Sequence, residues 1–164
     1  MAQDMNWYWQ KVEKIFHDDV HMIDHTKKVL EYVQQIASDQ IGIGIEEKRR
    51  IEVIALLHDI GILAAEKKHG SRAGKFQHIE GPPLVREITK QAEEKPEFIE
   101  RVAYIVGNHH NFSKADGIDF QILIEADMLV NLQNEKIKKN RLEEFIDKFF
   151  KTKKGKELAR QIYL

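Results

Sequence analysis

The sequence predicts an all-α fold, a single-domain helical bundle of about six to eight helices spanning residues 1–164. Three observations carry this. Apolar residues recur at three- and four-residue steps almost throughout the chain, as one face of a helix requires. Period-2 alternation is scarce; Gln121–Glu125 is the one tempting stretch, and its neighbours favour helix. No internal repeat or low-complexity tract divides the chain, and 164 residues suffice for one domain with a substantial core.

Residues 4–16 read as a first short helix, with Trp7, Trp9, Val12, Ile15 and Phe16 as candidate buried positions. Residues 21–37 form a second, with Ile23, Val29, Leu30, Val33 and Ile36 at helical spacing. Residues 46–60 form a third, opened by Glu46 and Glu47 at the end the helix dipole favours and followed by Gly61. The stretch 61–81 holds four of the nine glycines and several charges, and reads as a long connection with a turn of helix around 64–68. Pro82-Pro83 then suits the opening of a helix over 82–94, and Pro96 the opening of one over 96–109. A polar turn over 111–118 leads to an apolar helix over 120–132, another over 135–150, and a short basic amphipathic helix at the end. The cluster Trp7-Tyr8-Trp9 and the pair Phe149-Phe150 read as core residues of terminal helices rather than a dimer contact, so monomer and homodimer stay open.

Composition excludes several functions. With Lys+Arg 26 against Asp+Glu 27, the net charge of −1 makes no electrostatic case for nucleic acid or a membrane surface, and a nucleic-acid duplex is not an expected partner. There is no cysteine, which removes disulfides, thiolate zinc sites and cysteine nucleophiles. Any metal must be held by nitrogen and oxygen. The first residues carry acidic and polar groups where a signal peptide needs an apolar run, and no stretch approaches the roughly 18 apolar residues of a membrane span. The expected location is the cytoplasm.

Candidate ligands lie at four places. His58-Asp59 ends an apolar helical run, where a carboxylate is costly to bury unless something compensates its charge. Neighbours on a helix point about 100° apart, so both can reach one ion only at a helix end, which Gly61 supplies. Taken alone, the pair also fits a plain helix terminus with His58 capping carbonyls and Asp59 in water. His25 shares the apolar face of Val29 and Val33; His17 and His21 precede it at four-residue steps and offer a rival histidine stripe without an acidic partner. Asp127 sits in the most apolar helix, where an isolated carboxylate would neutralise rather than stay charged, while its neighbour Glu125 can turn to solvent. His109-His110 follows Gly107 at a helix end and could serve a second ion, or be ordinary polar turn residues.

The order His25, His58-Asp59, Asp127, with the contexts "HTKKVLEYV", "ALLHDIG" and "EADMLVNL", resembles the HD superfamily of metal-dependent phosphohydrolases over roughly residues 20–132. That resemblance implies that His25, His58, Asp59 and Asp127 hold one metal ion. His78, in "FQHIEGPPLVREI", and His109-His110 fall where the two-metal branch places its additional ligands, with Asp59 then bridging the two ions. Glu80 is a competing oxygen ligand close to His78. Many members follow His-Asp-Ile-Gly with lysine; here Ile62 stands instead, so another cation must serve the phosphate. Lys67, Lys68, His69, Arg72 and Lys75 follow in the connection, each alone reading as a solvated charge.

Imidazole and carboxylate ligands suit Fe, Mn, Co, Ni or Zn and, with fewer histidines, Mg; a histidine-rich pair of sites leans to Fe or Mn. The expected chemistry is attack of a metal-activated water on the phosphorus of a nucleotide or other small phosphate ester. Besides the ligand Asp59, the candidates for orienting water and neutralising charge are Lys28, Arg72 and Asp24. Two rival classes fit the same residues: a di-iron oxygenase of the same superfamily, and a non-catalytic metal- or nucleotide-binding module.

Overall fold

The computed structural model describes residues 1–164 and contains nine α-helices, two short 3₁₀ turns and no strand. Three of the helix starts are set by side-chain caps that satisfy otherwise unpaired amides. Asp4 accepts from the Trp7 amide to open α1 (Met5–Phe16), and Asp19 from the Met22 amide to open α2 (Val20–Asp39). Thr152 does the same for α9 (Lys153–Tyr163) through the Gly155 amide at 2.9 Å. Between them run α3 (Ile45–Leu57), α4 (Ile62–His69), α5 (Gly74–Gln91), α6 (Pro96–Val106), α7 (Ile118–Asn131) and α8 (Lys139–Phe149).

Helices α3 and α7 are the centre of the bundle. Val53 to Leu57 and Phe120 to Val130 are buried except for half-buried Gln121, so the second half of α3 and nearly all of α7 have almost no solvent face. Helix α2 packs across both, α1 covers α3, and α9 lies against α7. On the other side α5 pairs with α4 and α6, and α6 reaches α3. No helix is long and apolar enough to cross a membrane.

The stretch 61–81 is not a connection. It holds α4 and the first half of α5, which begins at Gly74 rather than at Pro82, so both prolines lie inside a helix. Its glycines serve close helix contact as well as turns. A Cβ on Gly61 would fall 2.6 Å from the Gly81 nitrogen, and one on Gly81 3.0 Å from Val106. Only residues without a side chain let α5 lie this near the end of α3. Gly70, by contrast, is a true helix terminator with φ +69°.

Smaller differences follow from packing. In α1 the buried aromatics are Phe16 and Tyr8, whose hydroxyl donates to Glu94 at 2.8 Å, while Trp7 and Trp9 are half-buried. Helix α6 stops at Val106 and α8 starts at Lys139, shorter than their apolar patterns suggested. Glu125 does not turn to solvent: it is 0% exposed. Its carboxylate accepts from Gln121 Nε2, the Lys151 and Thr152 amides and the Thr152 hydroxyl, locking α9 onto α7.

Candidate metal centre

The end of α3 supplies the first two groups. His58 and Asp59 lie in the turn between α3 and α4, so successive side chains converge instead of diverging around a helix. His58, 1% exposed, donates from Nδ1 to the Ala55 carbonyl at 2.7 Å. That bond leaves Nε2 as a lone pair aimed inward, the tautomer that suits a metal ligand. His25 of α2 and Asp127 of α7 meet it there. Asp59 Oδ2 lies 3.2 Å from His25 Nε2 and 3.1 Å from His58 Nε2, and Asp127 Oδ1 lies 3.1 and 3.5 Å from the same two atoms.

These contacts do not form a satisfied hydrogen-bond network. His25 and His58 present Nε2 to Nε2 at 3.3 Å, and at most one of them can be a donor in a neutral pair. Asp127 Oδ1 is buried with no hydrogen-bond partner. Burial opposes protonation of both histidines, yet the adjacent carboxylates outweigh it and raise them above the ordinary imidazole range, His58 strongly. Burial likewise opposes ionisation of Asp59 and Asp127, and the histidines hold both well below the usual carboxylate range. Two buried carboxylates and two inward imidazole nitrogens converge on one point. Such a donor set fits a divalent cation.

A second cluster adjoins it. His109 follows α6 and repeats the arrangement of His58: Nδ1 donates to the Val106 carbonyl at 2.8 Å, and Nε2 is buried without a hydrogen-bond partner. That Nε2 lies 3.3 Å from Asp59 Oδ1, the oxygen not facing His25 and His58. His78 comes from the second turn of α5 and His110 from the turn after α6, and one ring nitrogen from each of the three lies within 4.8 Å of the others. Gly74 makes room, since a Cβ there would meet the His110 ring at 2.9 Å. Burial and the neighbouring His109 push His110 down to about 4, and the same causes lower His78. Neutral imidazoles are the form that binds metal.

The chain matches the HD domain family over residues 22–159, a span that includes all seven of these residues. It belongs to that family. Among solved structures this HD domain is similar to a predicted HD superfamily hydrolase from an uncultured Thermotogales bacterium. The two share 20% identity at a TM-score of 0.71, over 97% of this chain and 84% of the other, a likeness of fold. Among curated proteins none matches.

The HD domain places the remaining candidates less uniformly. Lys28 lies one turn beyond His25 on α2, with Nζ 3.1 Å from Asp24. Both line a cleft of about 160 Å³ that reaches His25 and His21. Its other wall carries Asn131, Gln133 and Asn134, which sequence reasoning missed, although Asn131 is one helical turn beyond Asp127. Arg72 instead directs its guanidinium to Glu66 and to Asp19 at 3.3 Å. Glu80 is drawn away from His78 to Lys68 at 2.8 Å and His69 at 3.6 Å, as two residues apart on a helix demands. Lys67 and Lys75 are exposed, and Ile62 is buried. His17 and His21 are exposed and stand outside both clusters, so no histidine stripe forms on α2. Gln77, also missed, links the Arg72 carbonyl to His110 Nε2, and nothing in its sequence context marks it.

Proposed function

We propose that this HD domain is a metal-dependent phosphohydrolase acting on a nucleotide or another small phosphate ester. The observation that carries the reading is Asp59, whose two carboxylate oxygens face different clusters, Oδ2 toward His25 and His58 and Oδ1 toward His109. In this reading His25, His58, Asp59 and Asp127 hold one ion, His78, His109 and His110 hold a second, and Asp59 is shared. Divalent ions held there, Fe or Mn before Zn, Co, Ni or Mg, would supply a water acidified to near neutrality and would polarise a phosphoryl oxygen.

The chain's own residues do the rest. The Ala55 and Val106 carbonyls hold His58 and His109 in the tautomer that directs Nε2 inward. Burial of the surrounding walls keeps bulk water from competing with those contacts. Lys28, in the cleft beside His25, is better placed than Arg72 to neutralise charge developing on the phosphoryl oxygens, because the Arg72 guanidinium is engaged by two carboxylates. Hydrolysis joins the water oxygen to phosphorus, breaks the ester P–O bond and returns a proton to the leaving alcohol. Asp24, beside Lys28, is a candidate to accept or relay that proton.

The test is turnover of p-nitrophenyl phosphate, bis(p-nitrophenyl) phosphate and a nucleotide panel after loading with Mn or Fe. Release of phosphate or nitrophenol that is absent in Asp59→Ala supports the reading; no turnover of any ester by metal-loaded protein contradicts it. A di-iron oxygenase of the same superfamily is the rival reading, since it would use a similar set of ligands. Oxygen uptake by the iron-loaded protein without ester hydrolysis would select it.

A further inference from the structure

We propose that the groove along α8 binds single-stranded nucleic acid, independently of the metal centre. The groove has a volume of about 880 Å³, and Lys136, Lys138, Arg141 and Lys148 line it with Phe145 and Phe149. None of these four cations stands in an ion pair, and Glu144 is the one carboxylate on the wall. A second cavity of about 260 Å³ continues it past Lys148 and Phe149 to Lys151 and Phe112.

Charge along the chain is segregated in the same way. Residues 135–164 carry ten Lys and Arg against five Asp and Glu, while the rest carries sixteen against twenty-two. The whole-chain balance of −1, which made no case for a polyanion, is an average over two unlike parts. A field of one sign in a concave, low-dielectric wall attracts a polyanion.

The aromatic rings select among polyanions. Phe149 touches Phe145 at 4.7 Å and Phe112 at 5.5 Å between ring centres, and Phe112 is 37% exposed. Rings interleaved with cations along a groove are what unpaired bases stack on while lysines follow the phosphates. A duplex hides its base faces, and an acidic peptide would leave the rings without a partner. A membrane surface favours protruding rather than recessed rings.

The test is fluorescence anisotropy of the full chain with a labelled oligothymidylate of about 12 nucleotides. Binding needs no turnover, so its outcome stands apart from the phosphohydrolase reading. Saturable binding is expected, with log K falling against log salt at a slope of roughly −3 for four phosphate contacts. The variant K136E/K138E/R141E/K148E is expected to lose at least about tenfold in affinity while keeping its helical circular dichroism. Phe145→Ala is expected to lose about tenfold, with Phe145→Trp restoring it, since a larger ring still fills the site and stacks. No binding, equal affinity for duplex of the same length, or binding unchanged in the quadruple variant would overturn the proposal. So would binding of anionic phosphatidylserine vesicles but not of the oligonucleotide.

Discussion

Asp59 Oδ1 faces His109 Nε2 at 3.3 Å, while the other nitrogen of that ring donates to the Val106 carbonyl. The relation repeats, on the opposite oxygen, what His58 does with Ala55. Two imidazoles from different helix ends are thus held with lone pairs toward one carboxylate, a contact that is repulsive until a cation or a proton lies between them.

Asp59→Ala is therefore expected to remove both ions, with a loss of metal affinity far beyond the roughly 10–100-fold of an outer-shell change. Helical content should survive, because no helix is capped by the Asp59 side chain. Metal analysis and circular dichroism on the same sample check both halves. Wild-type metal content in the variant would remove Asp59 from the centre.

His78→Ala touches only the second cluster. It should leave one ion bound by His25, His58, Asp59 and Asp127, and activity should fall less than in Asp59→Ala. Isothermal titration with Mn(II) reads this as a change from two binding events to one.

Gly61→Ala should act at a distance. The added methyl would fall 2.6 Å from the Gly81 nitrogen and force α5 away from the end of α3. A destabilisation of about 1–3 kcal/mol is expected by denaturant titration. Because α5 also carries His78, the second ion should bind more weakly than the first.

Asp119 sets an acid limit on stability. Burial tends to raise its carboxyl, but Arg101, with two hydrogen bonds at 2.7 and 2.8 Å, holds it below the ordinary carboxylate range, assisted by the Phe120 amide and Arg50. A depressed folded pKa contributes stability that is present above about 3.9 and lost as pH falls through the folded value. Asp119→Asn should flatten that acid limb in thermal melts of metal-free protein between about pH 2 and 5. Arg101→Leu should cost about 3 kcal/mol at neutral pH by leaving Asp119 short of its main partner.

The fold class was legible because α2, α3 and α7 carry long, regular apolar patterns around Val29, Ile54 and Leu123. The core candidate ligands were legible for a different reason: Asp127 in an apolar helix and His58-Asp59 at the end of another are costly to bury without an ion. What escaped was decided by contact between segments far apart in sequence. Gly61 and Gly81 look like loop residues until each is seen against the backbone of another helix. Pro82-Pro83 marked a helix start only because the glycines before it had been read as turns. Glu125 and Asp127 are alike in composition and spacing, yet one is satisfied by Thr152 and the other meets two histidines. That Glu125 is buried as well, rather than turned to solvent, depended on where α9 packs.

Metal per chain, measured by elemental mass spectrometry on untagged protein before and after anaerobic loading with Fe(II) and Mn(II), tests the shared role of Asp59 most directly. About two ions per chain, absent from Asp59→Ala, is the expected result for a carboxylate bridging two histidine clusters. Protein that stays metal-free after loading would contradict it.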